Sequence, residues 1–439
     1  MSTAWAEASN AKPKTQRLAV HQAQVIALLF AGYGAYYFCR SDLSVAMPLF
    51  VSKLQNLGLS HTAAVVRAGS IASYGVLAYA IGKFLLGALG DLWGGRRSFL
   101  IGLGGAVACT MLFAFGGVLP IFTLAWVGNR FIQSGGWAGL VKVSSRWFSY
   151  SAYGTVLGVL SLSFLVGDAV ARQSMGFLLD MGYGLRGIFL FAAAVAAVIW
   201  LINLLWLRDS RSELGFSEPE FSPLNVFGSK QDVDYPSWRT ILVPLLLNRA
   251  FWVVCILSLG TTIVRETFNF WTPMYLASYV GFAQGAAAKM SAVFPALGAV
   301  SVLLVGWLSD RLGKYGRSVI MFCGLLTSVA GLVALAGVRG GAANLMPVFL
   351  IGVVAFAVLG PYSYLAGAMA LDFGGRRAGA ASSGIIDGVG YLGGVLAGDS
   401  VARVSVHFGW HGVFLALAVI CALSAVAAGY LFFHQRSTA

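Results

Sequence analysis

"GALGDLWGGRR" (Gly87–Arg97) returns in altered form as "GWLSDRLGKYGR" (Gly306–Arg317), and this recurrence decides how the 439 residues are organised. Each copy is a short polar interruption between two apolar runs. Working outward, further landmarks recur in the same order. "GDAVAR" (Gly167–Arg172) is echoed by "GDSVAR" (Gly398–Arg403), and "GYGLRGIFL" (Gly182–Leu190) by "HFGWHGVFL" (His407–Leu415). Arg40 and Arg265 stand 225 residues apart, as do Pro48 and Pro273, each eight residues beyond its arginine. Four landmarks in one order point to a duplicated chain.

The runs between the landmarks belong in lipid. The chain is 58% hydrophobic and 10% charged, against about 25% charged in soluble domains. A spanning helix needs about 20 mostly apolar residues. That window gives 21–50, 67–90, 97–116, 120–145, 151–180 and 187–207, then 241–279, 285–308, 317–337, 345–371, 378–403 and 411–434. The runs lack the two-residue alternation of barrel strands, so the fold class is all-α: 12 transmembrane helices in two pseudo-symmetric six-helix bundles. The expected organisation is an N-terminal tail (1–20), a first bundle (21–208), a polar linker (209–240), a second bundle (241–434) and a short tail (435–439).

The net charge of +13 would suggest nucleic acid in a soluble protein. Here Lys12, Lys14, Arg17, Arg96, Arg97, Arg146, Arg208, Arg211, Arg311, Lys314, Arg317, Arg376 and Arg377 all fall on one side of the twelve spans. The other side carries few, among them Lys53, Arg67, Arg186 and Arg339. The positive-inside rule then makes both termini and the linker cytoplasmic, with no nucleic acid partner. The five cysteines lie in apolar runs without zinc or disulfide spacing. His407 and His411 lack a nearby third ligand. No metal or cofactor is expected, and no activated nucleophile or nucleotide loop suggests an enzyme. The N-terminus has no cleavable signal pattern, so the first run is expected to be a permanent span.

The loop motif with Asp91 and Asp310 resembles the signature of the major facilitator superfamily. Its pattern of Gly, three residues, Asp, Arg, any residue, Gly is complete at Gly306, Asp310, Arg311 and Gly313, whereas the first copy has Leu92 for the arginine. "YYFCRSDLSVAMP" (Tyr36–Pro48), "GKFLLGALGD" (Gly82–Asp91), "NRFIQSGGWAG" (Asn129–Gly139), "GPYSYLAGAMALDFGGRRAGAASSG" (Gly360–Gly384) and "GVGYLGG" (Gly388–Gly394) narrow the match. Together, over nearly the whole chain, they resemble the organophosphate:inorganic phosphate antiporters of glycerol phosphate and hexose phosphates. The resemblance implies that Arg40 and Arg265 bind phosphate at a cavity apex, and it matches Lys83 to a family lysine. Phe164 stands where the family's glycerol phosphate carriers have a histidine. Ala138 and Gly139 replace a double proline.

Physics reaches a similar reading of the two arginines. A guanidinium at the bilayer centre costs about 2.5–3.5 kcal/mol, so it should face a watery cavity or a partner. Two forks from equivalent helices can grip one anion. Asp42 and Glu266 sit two and one residues from Arg40 and Arg265, whereas intrahelical pairs want three or four. Tyr33, Tyr36, Tyr37, Phe268, Asn269, Thr272 and Tyr362 are candidate cavity residues. Arg130 is a candidate to extend the positive field, and Lys142, near a helix end, either does the same or, the preferred reading, snorkels. Lys83 attracts the ligand or bridges to an acid such as Asp387. Asp168 with Arg172, and Asp399 with Arg403, are self-neutralising i,i+4 pairs or part of an extracytoplasmic gate. Asp91, Arg97, Asp310, Arg311 and Asp387 are conformational candidates.

The expected function is secondary transport of a small organic anion, a phosphorylated metabolite exchanged for inorganic phosphate by alternating access, by an inner-membrane monomer. Proton-coupled symport of a carboxylate or sulfonate, with Asp168 or Asp387 titrating, is one alternative. A transporter-like sensor of sugar phosphates is another.

Overall fold

A segment in lipid must satisfy its own backbone, which leaves helices for runs like these. In the computed structural model the described residues form helices and turns with no strand. They are residues 2–149, 152–219, 243, 245–312, 316–341 and 343–437; of 2–15, 87–93, 370–381 and shorter stretches only the backbone is described.

The first half contains α1 (Ser2–Val45), α2 (Met47–Asn56), α3 (His61–Trp93) and α4 (Gly95–Ala114). It continues with α5 (Leu119–Gln133), α6 (Gly136–Trp147), α7 (Tyr153–Asp180) and α8 (Leu185–Trp206). The second half contains α9 (Arg249–Met274), α10 (Gln284–Ser291), α11 (Val293–Leu312), α12 (Gly316–Ala336), α13 (Met346–Tyr364) and α14 (Ala370–Ser437).

Among the described residues, ten helical stretches are long and apolar enough to cross a membrane. The fourth expected span is split into α5 and α6, with 15 and 12 residues. The last stretch, Gly384–Phe433, has 50 residues, enough for two spans, and holds Gly409 at φ 67°. L side chains rarely adopt that φ, and the helical course turns there. The twelve expected crossings are accommodated in this way.

Two expected boundaries move. The run at 21–50 is interrupted at Ala46, and Pro48 sits in the first turn of α2, where its missing N–H is not needed. The run at 241–279 is helical over 245–247, breaks at Asn248 and resumes at Arg249, where the Asn248 side chain accepts from the Phe251 N–H at 3.2 Å. Pro273 lies near the end of that helix, and a π-helical turn, Tyr275–Val280, follows. Both repeat prolines thus mark a change in the helical ladder.

Within the first half α1 packs on α7 and α8, and α4 on α5, α6 and α8. Within the second, α14 packs on α9 and α12, and α11 on α13. The halves meet where α3 faces α14 and α7 faces α10. In each case the second span of one half meets the fifth of the other. That exchange is what a duplicated chain folding about a pseudo-twofold axis produces.

One end of the bundle gathers the start of α1, the α3–α4 turn, the end of α6 and the end of α8. Asp209 accepts the Arg96 N–H at 2.7 Å and pairs with Arg146, while the Arg96 Nε and Nη2 donate to the Leu207 and Leu204 carbonyls, each at 2.6 Å. We call this the linker end. Gly94, with φ 88°, makes the turn into α4.

Candidate functional site

Between the halves lies a cavity of about 280 Å³, lined by Tyr37, Tyr79, Lys83, Arg265, Tyr362, Asp387 and Tyr391, with an apolar wall beyond. A smaller space of about 50 Å³ adjoins Tyr37 on the side away from the linker end, lined by Arg40, Arg130, Asp168, Arg172, Glu266 and Asn269. The sequence-expected arginines therefore sit where the two spaces meet.

Tyrosine rings hold the cations. The Arg40 Cζ lies 5.1 Å from the Tyr37 ring centre and 4.6 Å from that of Tyr79. On Tyr79 the Arg130 Cζ also rests at 5.1 Å and the Lys83 Nζ at 5.5 Å. Across the pseudo-twofold axis, Tyr391 has Lys83 at 4.7 Å and Arg265 at 5.8 Å, and Tyr362 has Arg265 at 4.6 Å. Tyr79 and Tyr391 touch each other, with centres 5.3 Å apart. Ring quadrupoles attract cations without neutralising them. The charge thus stays available to an anion.

Two carboxylates share the site. Glu266 Oε1 pairs with Arg265 Nη2 at 2.6 Å, and Asp387 Oδ2 with Lys83 Nζ at 2.5 Å. Arg40 and Arg130 have no carboxylate within 4 Å among the described residues. Arg172 and Asp168 neutralise each other, and the four remaining cations facing two carboxylates leave a surplus of two positive charges, which a dianion would balance. Asp42, fully buried, accepts from the Leu43 N–H at 2.7 Å; it lines neither space and lies outside this count.

Several expectations are corrected. Adjacent residues sit about 100° apart on a helix, yet the Arg265 stem is long enough to curl back to Glu266, so that pair does form. Tyr36 is not a cavity residue: its hydroxyl donates to the Phe99 carbonyl at 2.6 Å and its ring is buried against Phe99. Phe268 stacks on Phe294 and Phe414, and the Thr272 hydroxyl donates to the Phe268 carbonyl at 2.6 Å; both are packing residues. Arg97 is exposed, and its neighbour Arg96 makes the interhelical contacts. Arg311 is exposed, with its Cζ 4.1 Å from the Trp307 ring centre. The Asp91 and Asp310 side chains lie outside the described residues.

The other polar pairs close the end away from the linker. Arg172 Nε holds Asp168 at 3.0 Å, and the same guanidinium donates to Ser291 Oγ at 3.1 Å and the Asn269 carbonyl at 2.6 Å in the second half. Ser41 also donates to Asp168. Ser44 donates to the Asn269 and Phe270 carbonyls at 2.9 and 2.8 Å. In the mirrored position Asp399 pairs with Arg403 at 2.6 Å and accepts from Ser70 of the first half at 2.6 Å. The Asp-x-x-x-Arg repeats are thus both self-neutralising pairs and ties between the halves. Lys289 and Asp180 add a bridge at 2.5 Å. The Lys83–Asp387 bridge is the tie nearest the cavity.

Sequence reasoning left out Tyr79 and Tyr391, and it set Glu266 aside as a partner of Arg265 although the two pair. A lysine one helical turn from a tyrosine, as in Tyr79–Lys83, was the available signal for the first.

The comparisons agree with this architecture. A probable hexose phosphate transport protein of Chlamydia trachomatis is 27% identical, over 91% of this chain and 88% of its own. The membrane sensor protein UhpC of Escherichia coli is 26% identical over 92% and 90%. Among solved structures, a bacterial homologue of the human lysosomal transporter Spinster, inward-facing and unoccupied, superposes with a TM-score of 0.71 at 15% identity, covering 95% and 97%. At that identity the likeness concerns the fold. The family described as Major Facilitator Superfamily matches residues 29–398. The chain is a multi-pass membrane protein belonging to the Major Facilitator Superfamily.

Proposed function

We propose that this protein is a secondary transporter that exchanges a small phosphorylated metabolite for inorganic phosphate. The observation that carries the reading is the surplus of two positive charges around a cavity between the halves, with Arg40 and Arg130 unpaired by any described carboxylate. A phosphate monoester or inorganic phosphate offers the matching dianion. Planar guanidinium forks suit its oxygens. The hexose phosphate transport relative supports the same substrate class.

The site also accounts for exchange. Bringing the halves together around empty space would crowd four cations held by only two carboxylates. A bound dianion removes that repulsion, so the loaded protein closes and the empty one does not. Asp168 and Asp387, which a proton symporter would titrate, are each engaged with a cation. This favours exchange over proton coupling. Arg40, Arg265 and Lys83 bind the phosphoryl group, with Tyr37, Tyr362 and Asn269 around it. Asp168, Arg172 and Asp387 hold the halves, and Asp91, Asp310 and Arg311 act on the cycle from the loops.

The basic residues at the linker end support a cytoplasmic linker and termini, the bacterial transport relatives support an inner-membrane location, and a monomeric carrier is part of the same proposal. With that orientation the end tied by the Asp168–Arg172 and Asp399–Arg403 pairs faces outward. Thermal stabilisation of the purified protein tests the substrate class. Inorganic phosphate and phosphate esters should raise the melting temperature at millimolar concentration, and sulfonates and carboxylates should not. Stabilisation by carboxylates alone would overturn the reading.

A further inference from the structure

The cavity is two-sided. Its cationic pole is described above; the rest is an apolar wall. Tyr33 packs on Trp137 with ring centres 5.2 Å apart and on Tyr37 at 6.0 Å, and Tyr37 packs on Phe164 at 5.7 Å. Facing these aromatics, the second half contributes Val302, Leu359, Leu365 and Ala366. Among the described lining side chains there is no Asn, Gln, His or Glu, and the one carboxylate, Asp387, is held by Lys83. Ser161 and Ser363 donate to the Leu157 and Gly360 carbonyls of their own helices, at 2.7 and 2.6 Å. The donors that remain among the described lining side chains are Ser258, the Trp137 indole N–H and the tyrosine hydroxyls, and Tyr37, Tyr79, Tyr362 and Tyr391 stand beside the cations.

A polyhydroxylated group placed against this wall loses water at each hydroxyl and finds few partners. Every buried hydroxyl left unpaired weakens binding by about 5- to 150-fold. A flat apolar group loses nothing comparable and gains ring contacts. Size also fits. A cavity of about 150 Å³ accepts benzene, so the observed 280 Å³ has room for one ring and a phosphoryl group.

We propose that the organic part of the carried anion is flat and poor in hydroxyls, making the substrate class an aryl or unsaturated organophosphate or phosphonate, with Phe164 and Trp137 as the residues that set this specificity. The proposal rests on the phosphorus-anion reading of the site and narrows it.

Equilibrium binding to the purified full chain in nanodiscs, with phenylphosphonate, glucose 6-phosphate and inorganic phosphate as probes, separates the two. Phenylphosphonate is expected to bind at least about tenfold more tightly than glucose 6-phosphate, the loss from one or two unpaired hydroxyls. Phe164→Asn should cut that ratio by about tenfold, and Trp137→Leu should lower it as well, since each removes part of the aromatic surface. Inorganic phosphate, measured alongside, shows that the variant is folded. Glucose 6-phosphate binding as tightly as phenylphosphonate, or a ratio unmoved in both variants, overturns the specificity while leaving the phosphate site standing. Failure of all three probes to bind wild-type protein overturns the phosphate site and the specificity with it.

Discussion

Arg40→Lys isolates what a guanidinium fork contributes to this site. The side chain has no carboxylate within 4 Å among the described residues, and its surroundings are the rings of Tyr37 and Tyr79. An ammonium can occupy the same face, because Lys83 Nζ already lies 5.5 Å from the Tyr79 ring. The substitution therefore keeps the charge and the ring contact and strands no anion. Stability should change by less than about 1 kcal/mol, unlike the loss of ~3–5 kcal/mol expected when one member of a buried pair is removed. What disappears is one of two parallel hydrogen bonds to the anion. A hydrogen bond involving a charged group contributes about 1.5–3 kcal/mol, and each ~1.4 kcal/mol is tenfold in affinity. The dissociation constant for inorganic phosphate should rise by about 10- to 150-fold at nearly unchanged melting temperature. Tryptophan fluorescence titration of purified protein, beside a thermal melt without ligand, measures both. Phosphate affinity within about threefold of wild type would refute bidentate recognition at Arg40.

Two further outcomes follow from the closed end and the charge asymmetry. A Cβ on Gly398 would lie 2.5 Å from the Gly69 carbonyl oxygen and 2.7 Å from the Ser73 nitrogen, so Gly398→Val should force α3 and α14 apart away from the linker end. Labelling of Ser291→Cys, which is buried in this state, by a water-soluble maleimide should then rise about tenfold, the effect of ~1.4 kcal/mol of bias; unchanged labelling in a transport-competent variant would contradict it. Ser212→Cys, at an exposed position beyond α8, should resist an impermeant thiol reagent added to intact cells and react once the membrane is opened, and reaction in intact cells would reverse the proposed orientation.

Much of the fold is legible because lipid allows few solutions. Apolar run lengths and a repeated set of landmarks suffice for the helices and their division into halves. The break at Ala46 and the split between α5 and α6 are less visible, because a span interrupted for a residue or two keeps its hydropathy. Arg40, Arg265 and Lys83 stand out as charges in apolar runs. Tyr79 and Tyr391 do not, since a tyrosine in such a run reads like any other aromatic until packing of α3 on α14 brings the two rings together. Tyr36 shows the reverse error: four residues before Arg40 it shares that residue's face by spacing, but its ring turns toward Phe99 in α4. Helical spacing gives the direction of a Cβ, not the end point of a long side chain. The same lesson applies to Arg265 and Glu266, whose pairing depends on stem length and χ angles rather than on position in the sequence.

The central claim is that the two surplus positive charges must be neutralised before the halves can change places. Uptake of labelled inorganic phosphate into proteoliposomes tests it most directly, with vesicles either loaded with unlabelled phosphate or left empty, at equal pH on both sides. Loaded vesicles should take up label at least about tenfold faster than empty ones, because an empty site carrying two surplus positive charges reorients slowly against its own repulsion. Equal rates in loaded and empty vesicles, rising with an inward proton gradient, would contradict exchange and show a carrier that returns empty.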